Sequence, residues 1–108
     1  MSRLSAPASD RGTGVFMTDR DVVDGSVAHI ATVHRALLVA TRRIATPQGS
    51  LQYLRTIYLP SQQRCLSFFE AVDAELIRAI NDTAQFPDAR ICEALEYSAR
   101  RLGEDRRR

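Results

Sequence analysis

The spacing of apolar residues changes several times along this chain, and each change predicts a new secondary-structure element. A short apolar run, GVFMT (14–18), lies between a glycine and an aspartate, which is typical of a strand. From about Asp21 to Ala45 the apolar residues recur every three or four positions, the period of an amphipathic helix. Either Asp21 or Asp24 can cap its start, and TPQGS (46–50) contains a proline and a glycine that stop it. The predicted buried stripe of this helix comprises Val23, Val27, Ile30, His34, Leu37, Leu38, Thr41 and Ile44.

Two strands are predicted next, and a short turn joins them. LQYLRTIYL (51–59) and CLSFFEA (65–71) are rich in β-branched and aromatic residues. The segment PSQQR (60–64) between them has turn composition. Together they predict a β-hairpin.

A second helix and a last strand complete the predicted fold. Asp73 is a candidate N-cap for a helix from Ala74 to Ala84, QFPD (85–88) ends it, and RICEALEY (90–97) predicts a strand. The resulting βαββαβ order is the ferredoxin-like α+β arrangement, a four-stranded antiparallel sheet with two helices on one face. We expect the strands in the spatial order fourth, first, third, second, with right-handed crossovers.

Composition divides the 108 residues into one domain and two flanking segments. Residues 1–13 consist largely of Ser, Ala and charged residues with one Pro and one Gly and predict a disordered lead, 14–97 form the ferredoxin-like domain, and 98–108 form a charged tail. No apolar run reaches the length of a signal-peptide core or of a membrane span. We therefore expect a cytoplasmic protein. The net charge of +2 is too small to indicate a polyanionic partner.

The two cysteines are predicted to be free thiols. Cys65 lies on the third strand and Cys92 on the fourth, with the first strand between them. Two strand spacings amount to roughly 9–10 Å, whereas the Cα atoms of a disulfide lie within about 7 Å. With no CxxC pair and no clustered histidines, the sequence predicts no metal site and no cofactor.

Both surfaces of the predicted sheet are partly apolar. Alternation along 51–59 places Tyr53 and Arg55 on one face with Leu51, Ile57 and Leu59, and places Tyr58 on the other with Gln52, Leu54 and Thr56. The helices can cover only one of these faces, so the other needs a cover of its own. A second copy of the chain is the simplest cover, which predicts a homodimer. A small-molecule ligand would then lie between the two sheets, near Tyr53, Arg55, Tyr58 and Phe68.

Two polar residues are candidates for a role at such a site. Arg55 lies mid-strand among apolar neighbours and needs an anion, an ion pair or a path to solvent. His34 lies on the predicted apolar stripe of the first helix, which indicates a buried or half-buried imidazole satisfied by a hydrogen bond, or else a ligand or proton-transfer role. No nucleophile–base pair is evident, so no catalytic residue is predicted, and a binding protein is favoured over an enzyme.

Two other functions remain open from the sequence. Dimeric α+β barrels of this topology include cofactor-free monooxygenases, in which case His34 or Tyr58 would act on a substrate. RNA-recognition domains share the βαββαβ order and stack bases on aromatic side chains of the first and third strands. RCLSFFEA (64–71) matches their third-strand motif only in part, and this alternative requires Phe16 and Phe68 exposed side by side.

Part of the chain resembles a family of small bacterial ferredoxin-like proteins, mostly labelled as a domain of unknown function, that includes an actinobacterial nickel-binding protein. The likeness covers YLRTIYLPSQQRCLSFFEA (53–71) and FPDARICEAL (86–95). Such proteins similarly have a hairpin, a Cys-Leu strand ending in Glu-Ala, a short helix and a proline before the last strand. The resemblance implies the fold and does not imply an activity.

The metal function of that family is not expected here. Its nickel-binding members have histidines near the first strand, in the second helix and in the turn before the proline. This chain has Asn81 and Phe86 in the last two regions, and its last histidine is His34. Because nickel prefers imidazole or thiolate ligands, we expect no tight nickel site.

Overall fold

A computed structural model describes residues 13–45 and 51–97 of the chain. Four strands and two α-helices follow one another within these ranges in the order βαββαβ. They are β1 (Gly14–Asp21), α1 (Val27–Ile44), β2 (Gln52–Leu59), β3 (Arg64–Ala71), α2 (Ala74–Thr83) and β4 (Arg90–Ala94), with a 3-10 turn at Pro60–Gln62. The predicted lead and tail lie outside these ranges except for Thr13, as does the predicted helix stop at 46–50.

The strands form one antiparallel sheet in the order β2-β3-β1-β4. This order confirms the predicted α+β ferredoxin-like fold, with β3 and β1 in the interior of the sheet. Since β1 separates β3 from β4, Cys65 and Cys92 are not neighbours, and both are free thiols as predicted. In the described part of the chain, no helix is long and apolar enough to cross a membrane.

The first helix begins later than its apolar spacing predicts. Asp21 is still the last residue of β1, and the helix starts at Val27 with Ser26 as N-cap, whose hydroxyl accepts a hydrogen bond from the His29 amide. Asp24 does not cap the helix but accepts a hydrogen bond from the Ser26 amide. The second helix agrees with the prediction, because the Asp73 carboxylate accepts from the Leu76 amide and caps it.

The core lies between the helices and one face of the sheet, which we call the inner face. Its buried side chains come from β1, both helices and β3, with Val22 and Leu51 from the adjoining segments; they are Phe16, Val22, Val33, Leu37, Ala40, Leu51, Cys65, Phe69, Ala71, Ile77 and Ile80. Arg20 also points to this face, and its guanidinium stacks on the Phe86 ring at 4.0 Å from the centroid. The predicted helical stripe is wrong at its first two positions, since Val23 and Val27 are exposed.

A β-bulge in β2 changes which side chains share a face. Tyr53 is opposite Phe69, but Arg55 is opposite the next residue, Phe68, so Leu54 is an extra residue in this strand. Tyr53 therefore lies on the inner face and Arg55 on the other face, which we call the outer face. The predicted alternation, which placed the two residues together, is wrong at this point.

The last strand ends earlier than predicted. Pairing with β1 stops at Ala94, and residues 95–97 leave the ladder. Glu96 lies 3.8 Å from Arg55 on the opposite edge strand, so this segment crosses the outer face. Leu95 and Tyr97 on either side of Glu96 are more than 80% exposed, with values of 85% and 82%.

Candidate functional site

The outer face has an apolar centre that no helix covers. In the ladder, Met17 is opposite Phe68, and Ile57 is opposite Leu66, so their side chains lie on the same surface. Val15 extends the patch along β1, and Ile57 is 42% exposed. A shallow cavity of about 220 Å³ lies on this face, between the sheet and residues 94–97. Its lining comprises Val15, Arg55, Phe68, Ala94, Leu95, Glu96 and Tyr97.

Charged residues at one end of the outer face are paired with one another. The Asp19 carboxylate accepts hydrogen bonds from Arg64, with Nε at 3.1 Å and Nη2 closer, and lies 3.4 Å from Arg90. The hydrogen bond from Arg64 holds the pKa of Asp19 below its usual range, although burial opposes this effect. Asp21 adds a carboxylate 3.7 Å from Arg90. The apolar centre therefore lies between these ion pairs and the Arg55–Glu96 ion pair.

A second concavity lies on the helix side of the sheet, between the first half of α1 and the edge strand β2. It is an open groove of about 410 Å³, and the side chains around it are mostly apolar. Its lining comprises Gly25, Val27, Ile30, Ala31, His34, Thr56 and Tyr58. His34 is the one titratable nitrogen base in this set, and no fully charged side chain belongs to it.

A chain of hydrogen bonds runs from His34 into the protein. His34 Nδ1 is 2.7 Å from the Tyr53 hydroxyl, which is hydrogen-bonded to the Thr56 hydroxyl. Thr56 Oγ1 is in turn 2.8 Å from Oγ of Ser67, a buried residue in the middle of β3. The Tyr53 ring packs between His34 and Phe69, with both ring centroids 5.3 Å away. The imidazole is therefore held in one orientation at an exposed helix position.

The end of the groove depends on close contact between Gly25 and Tyr58. The Tyr58 hydroxyl donates a hydrogen bond of 2.9 Å to the carbonyl of Val22, which anchors the ring across the chain leading into α1. A Cβ at position 25 would overlap that ring, with Tyr58 Cζ only 2.6 Å away. Glycine is thus required here for space.

Burial affects two titratable groups near the groove. It raises the pKa of the Tyr53 hydroxyl, so this group keeps its proton at neutral pH. It also raises the pKa of the Cys65 thiol, which lies opposite Tyr58 in the hairpin. A buried, protonated thiol is a poor nucleophile.

The structure divides the predicted ligand-binding residues into two groups. His34, Tyr53 and Tyr58 lie together on the helix side, whereas Arg55 and Phe68 lie on the outer face. The guanidinium of Arg55 is 5.9 Å from the Phe68 ring centroid, and Glu96 provides the anion that a mid-strand arginine requires. His34 is exposed and not buried as its place on the apolar stripe indicated, but its predicted hydrogen bond is present.

Three residues of the groove region were not singled out from the sequence. Thr56 and Ser67 are opposite one another in the hairpin and link Tyr53 to the protein interior. Gly25 precedes α1 and makes room for Tyr58. Two hydroxyl residues at matching strand positions are a detectable pattern, but only when the register is known.

Neither a metal site nor an RNA-stacking surface is formed by the described residues. Within 13–45 and 51–97, no three His, Cys, Asp or Glu side chains are grouped so that they could hold a metal ion. Phe16 is 6% exposed and opposite Phe69 on the inner face, whereas Phe68 is on the outer face. The side-by-side pair that the RNA-binding alternative requires is therefore absent.

Comparison with known proteins identifies the fold and no family. No known protein family and no curated protein matches the sequence. Among solved structures, the crystal structure of SCO4226 from Streptomyces coelicolor A3(2) is similar, with a TM-score of 0.64 and 16% sequence identity. The match covers 78% of this chain and 99% of that one. At this identity the likeness shows a shared fold alone, so membership of the family that the sequence resembles stays a prediction.

Proposed function

We propose that this chain is a homodimeric binding protein whose subunits pair through their outer sheet faces. The observation that supports the proposal is the apolar centre of that face, formed by Val15, Met17, Ile57, Leu66 and Phe68. In a single copy this patch lies at the surface, where apolar area is unfavourable. A two-fold axis through the patch places each apolar centre against its own copy, as an isologous interface requires.

The size of the face agrees with a stable dimer. Four strands about 4.8 Å apart, with five to eight residues each at about 3.3 Å, give a layer of roughly 400 Å². This flat projection is a lower bound on the accessible area, since side chains stand out from the sheet, and a standard interface buries ~800 Å² per partner. Leu95 and Tyr97, in the segment that crosses this face, add exposed apolar area to it.

The charges around the patch are compatible with such pairing. Arg55 and Glu96 form an ion pair whose side chains are 52% and 46% exposed, so both can also contact a partner copy. At the other end, Asp19 is neutralised by two arginines within its own chain. Glu70, opposite Val15 on the same face, accepts a hydrogen bond of 3.5 Å from the Thr13 hydroxyl, so the interface must leave it at the hydrated rim, because burying an unpaired charge would be costly.

Light scattering after size-exclusion chromatography at several protein concentrations tests this proposal. We expect a dimer that converts to monomer in Ile57→Lys, because the new ammonium would be buried opposite a second apolar patch. Val39→Lys is the matched control, since Val39 is 40% exposed against 42% for Ile57 but lies on α1. A monomer at all concentrations, or equal dissociation by both variants, would refute the proposal.

Cys92 provides an independent measurement of the same interface. It is exposed and lies opposite Met17 in the ladder, hence on the outer face, while Cys65 is buried. We expect the reaction of Cys92 with Ellman's reagent to slow as the protein concentration rises, and this dependence to disappear in Ile57→Lys. A rate independent of concentration in the wild type would place the interface elsewhere.

A further inference from the structure

We propose that the groove between α1 and β2 binds a small, mainly apolar molecule through one neutral hydrogen-bond acceptor, such as a ketone, which contacts His34 Nε2. This site is on the helix side of the sheet, away from the outer face, so it goes beyond the proposed dimer and does not depend on it. Its volume of about 410 Å³ is within the ~300–1,000 Å³ range of small-molecule sites.

The apolar part of the ligand is inferred from the walls of the groove. Val27, Ile30 and Ala31 form the helix side, and the Tyr58 ring forms part of the strand side. Val27, at the start of the helix, is 87% exposed and contributes apolar surface at the rim of the groove. No lining residue carries a permanent charge, so the walls favour a neutral molecule over an ion.

The polar part of the ligand is inferred from the direction of the hydrogen-bond chain. Ser67 is 3% exposed, and its hydroxyl is hydrogen-bonded to the hydroxyl of Thr56. If protons were donated from His34 inwards, the last O–H, on Ser67, would be left buried without an acceptor, which is unfavourable. If donation runs outwards from Ser67 through Thr56 and Tyr53, every hydroxyl proton is used.

If the hydroxyl groups donate outwards, from Ser67 towards His34, this direction determines which ring nitrogen of His34 carries the proton. Tyr53 then donates to Nδ1, so the neutral imidazole carries its proton on Nε2. Within the described ranges, no protein group accepts a hydrogen bond from that Nε2. The site therefore offers one oriented N–H donor, and the complementary ligand group is an acceptor.

Two ligands of nearly equal shape test the inference. 2-Acetylnaphthalene has a ketone acceptor, whereas 2-ethylnaphthalene has the same ring system without it. In ¹⁵N-resolved NMR titrations of the full chain, we expect both to shift amides at 25–34 and 56–58. The ketone should bind roughly three- to tenfold more tightly, the factor expected from one hydrogen bond of about 0.7–1.4 kcal/mol.

Variants separate the roles of the donor and the groove. His34→Phe should bind both ligands with equal affinity, while His34→Gln, which retains an N–H donor, should keep part of the preference for the ketone. Ala31→Trp should weaken both ligands at least tenfold by filling the groove. Ala28→Trp, at an exposed position outside the lining, is its control and should leave both unchanged.

Several results would overturn the proposal. They are shifts confined to the outer face, equal affinity of the wild type for both ligands, an unchanged preference in His34→Phe, and no shift at saturating ligand. Ile57→Lys should bind both ligands as the wild type does, because the groove lies on the helix side. If the protein dimerises but no ligand binds in the groove, the groove proposal is wrong. If ligands bind in the groove but the protein is a monomer, the dimer proposal is wrong.

Discussion

Replacing Asp19 by asparagine removes the carboxylate on which two arginines converge. Only 10% of the Asp19 side chain is exposed, whereas Arg64 and Arg90 are 40% and 58% exposed. A hydrogen bond to a charged group contributes about 1.5–3 kcal/mol, but exposed arginines recover hydration when their partner is lost. We therefore expect Asp19→Asn to lower the free energy of unfolding by about 1.5–2 kcal/mol, or Tm by roughly 6–15 °C for a domain of this size.

The effect of Asp19→Asn should depend on pH with a definite sign. Arg64 lowers the pKa of Asp19 in the folded state. The carboxylate therefore stabilises the fold fully above the unfolded pKa of about 3.9, and this contribution is lost as the pH falls through the lower folded value. We expect the stability difference between wild type and Asp19→Asn to be constant from pH 5 to 7 and to shrink below pH 4.

Urea unfolding followed by circular dichroism at pH 7 and pH 3 measures both effects. Asp88→Asn is the control, because Asp88 is exposed in the turn before β4 and forms no ion pair among the described residues. It should change stability by less than about 0.5 kcal/mol. An equal loss in both variants, or a difference for Asp19→Asn that persists undiminished at pH 3, would refute the reasoning.

Three further substitutions test the packing and capping described above. Gly25→Ala should destabilise the protein by about 1–3 kcal/mol, because the new Cβ overlaps the Tyr58 ring. Most of that loss should disappear when Gly25→Ala is made in a Tyr58→Leu background. If the loss persists there, its cause is the backbone at position 25 and not the overlap with Tyr58. Asp73→Ala should cost about 1 kcal/mol in urea unfolding by removing the acceptor for the Leu76 amide. Asp82→Ala, at the other end of the same helix, should cost less, and a cost equal to that of Asp73→Ala would argue against the cap. Phe69→Ala should cost about 3–5 kcal/mol, since Phe69 is fully buried against Tyr53. A calorimetric Tm within 5 °C of the wild type would contradict this packing.

The order of elements was predictable because strand and helix periods differ clearly in this sequence. The hairpin, the Asp73 cap and the position of β3 inside the sheet follow from local composition together with the handedness of crossovers. The start of α1 was not predictable in the same way. Asp21 is a good capping residue by type, but it belongs to a strand whose pairing with Arg64 extends to its last residue.

The candidate site was harder to predict from the sequence than the fold was, because the bulge at Leu54 is not visible in the sequence. An extra leucine leaves no trace in the hydrophobic pattern, because this strand does not alternate cleanly between apolar and polar residues, yet it moves Arg55 to the face opposite Tyr53. His34 was placed on the buried stripe because it follows the apolar spacing. In the structure the buried residues of α1 are Val33, Leu37, Ala40 and Thr41, so His34 lies beside that stripe.

The two edge strands of the sheet limit how copies of this protein can associate. One is β2, which the extra residue at Leu54 bends, and the other is β4, which has five residues and begins with an arginine. Bent, short or charged border strands are poor templates for adding another strand. Open-ended stacking of copies through backbone pairing is thereby disfavoured. Two copies can still pair face to face through the broad surface of the sheet, and such two-fold pairing leaves no free surface of that kind for a third copy.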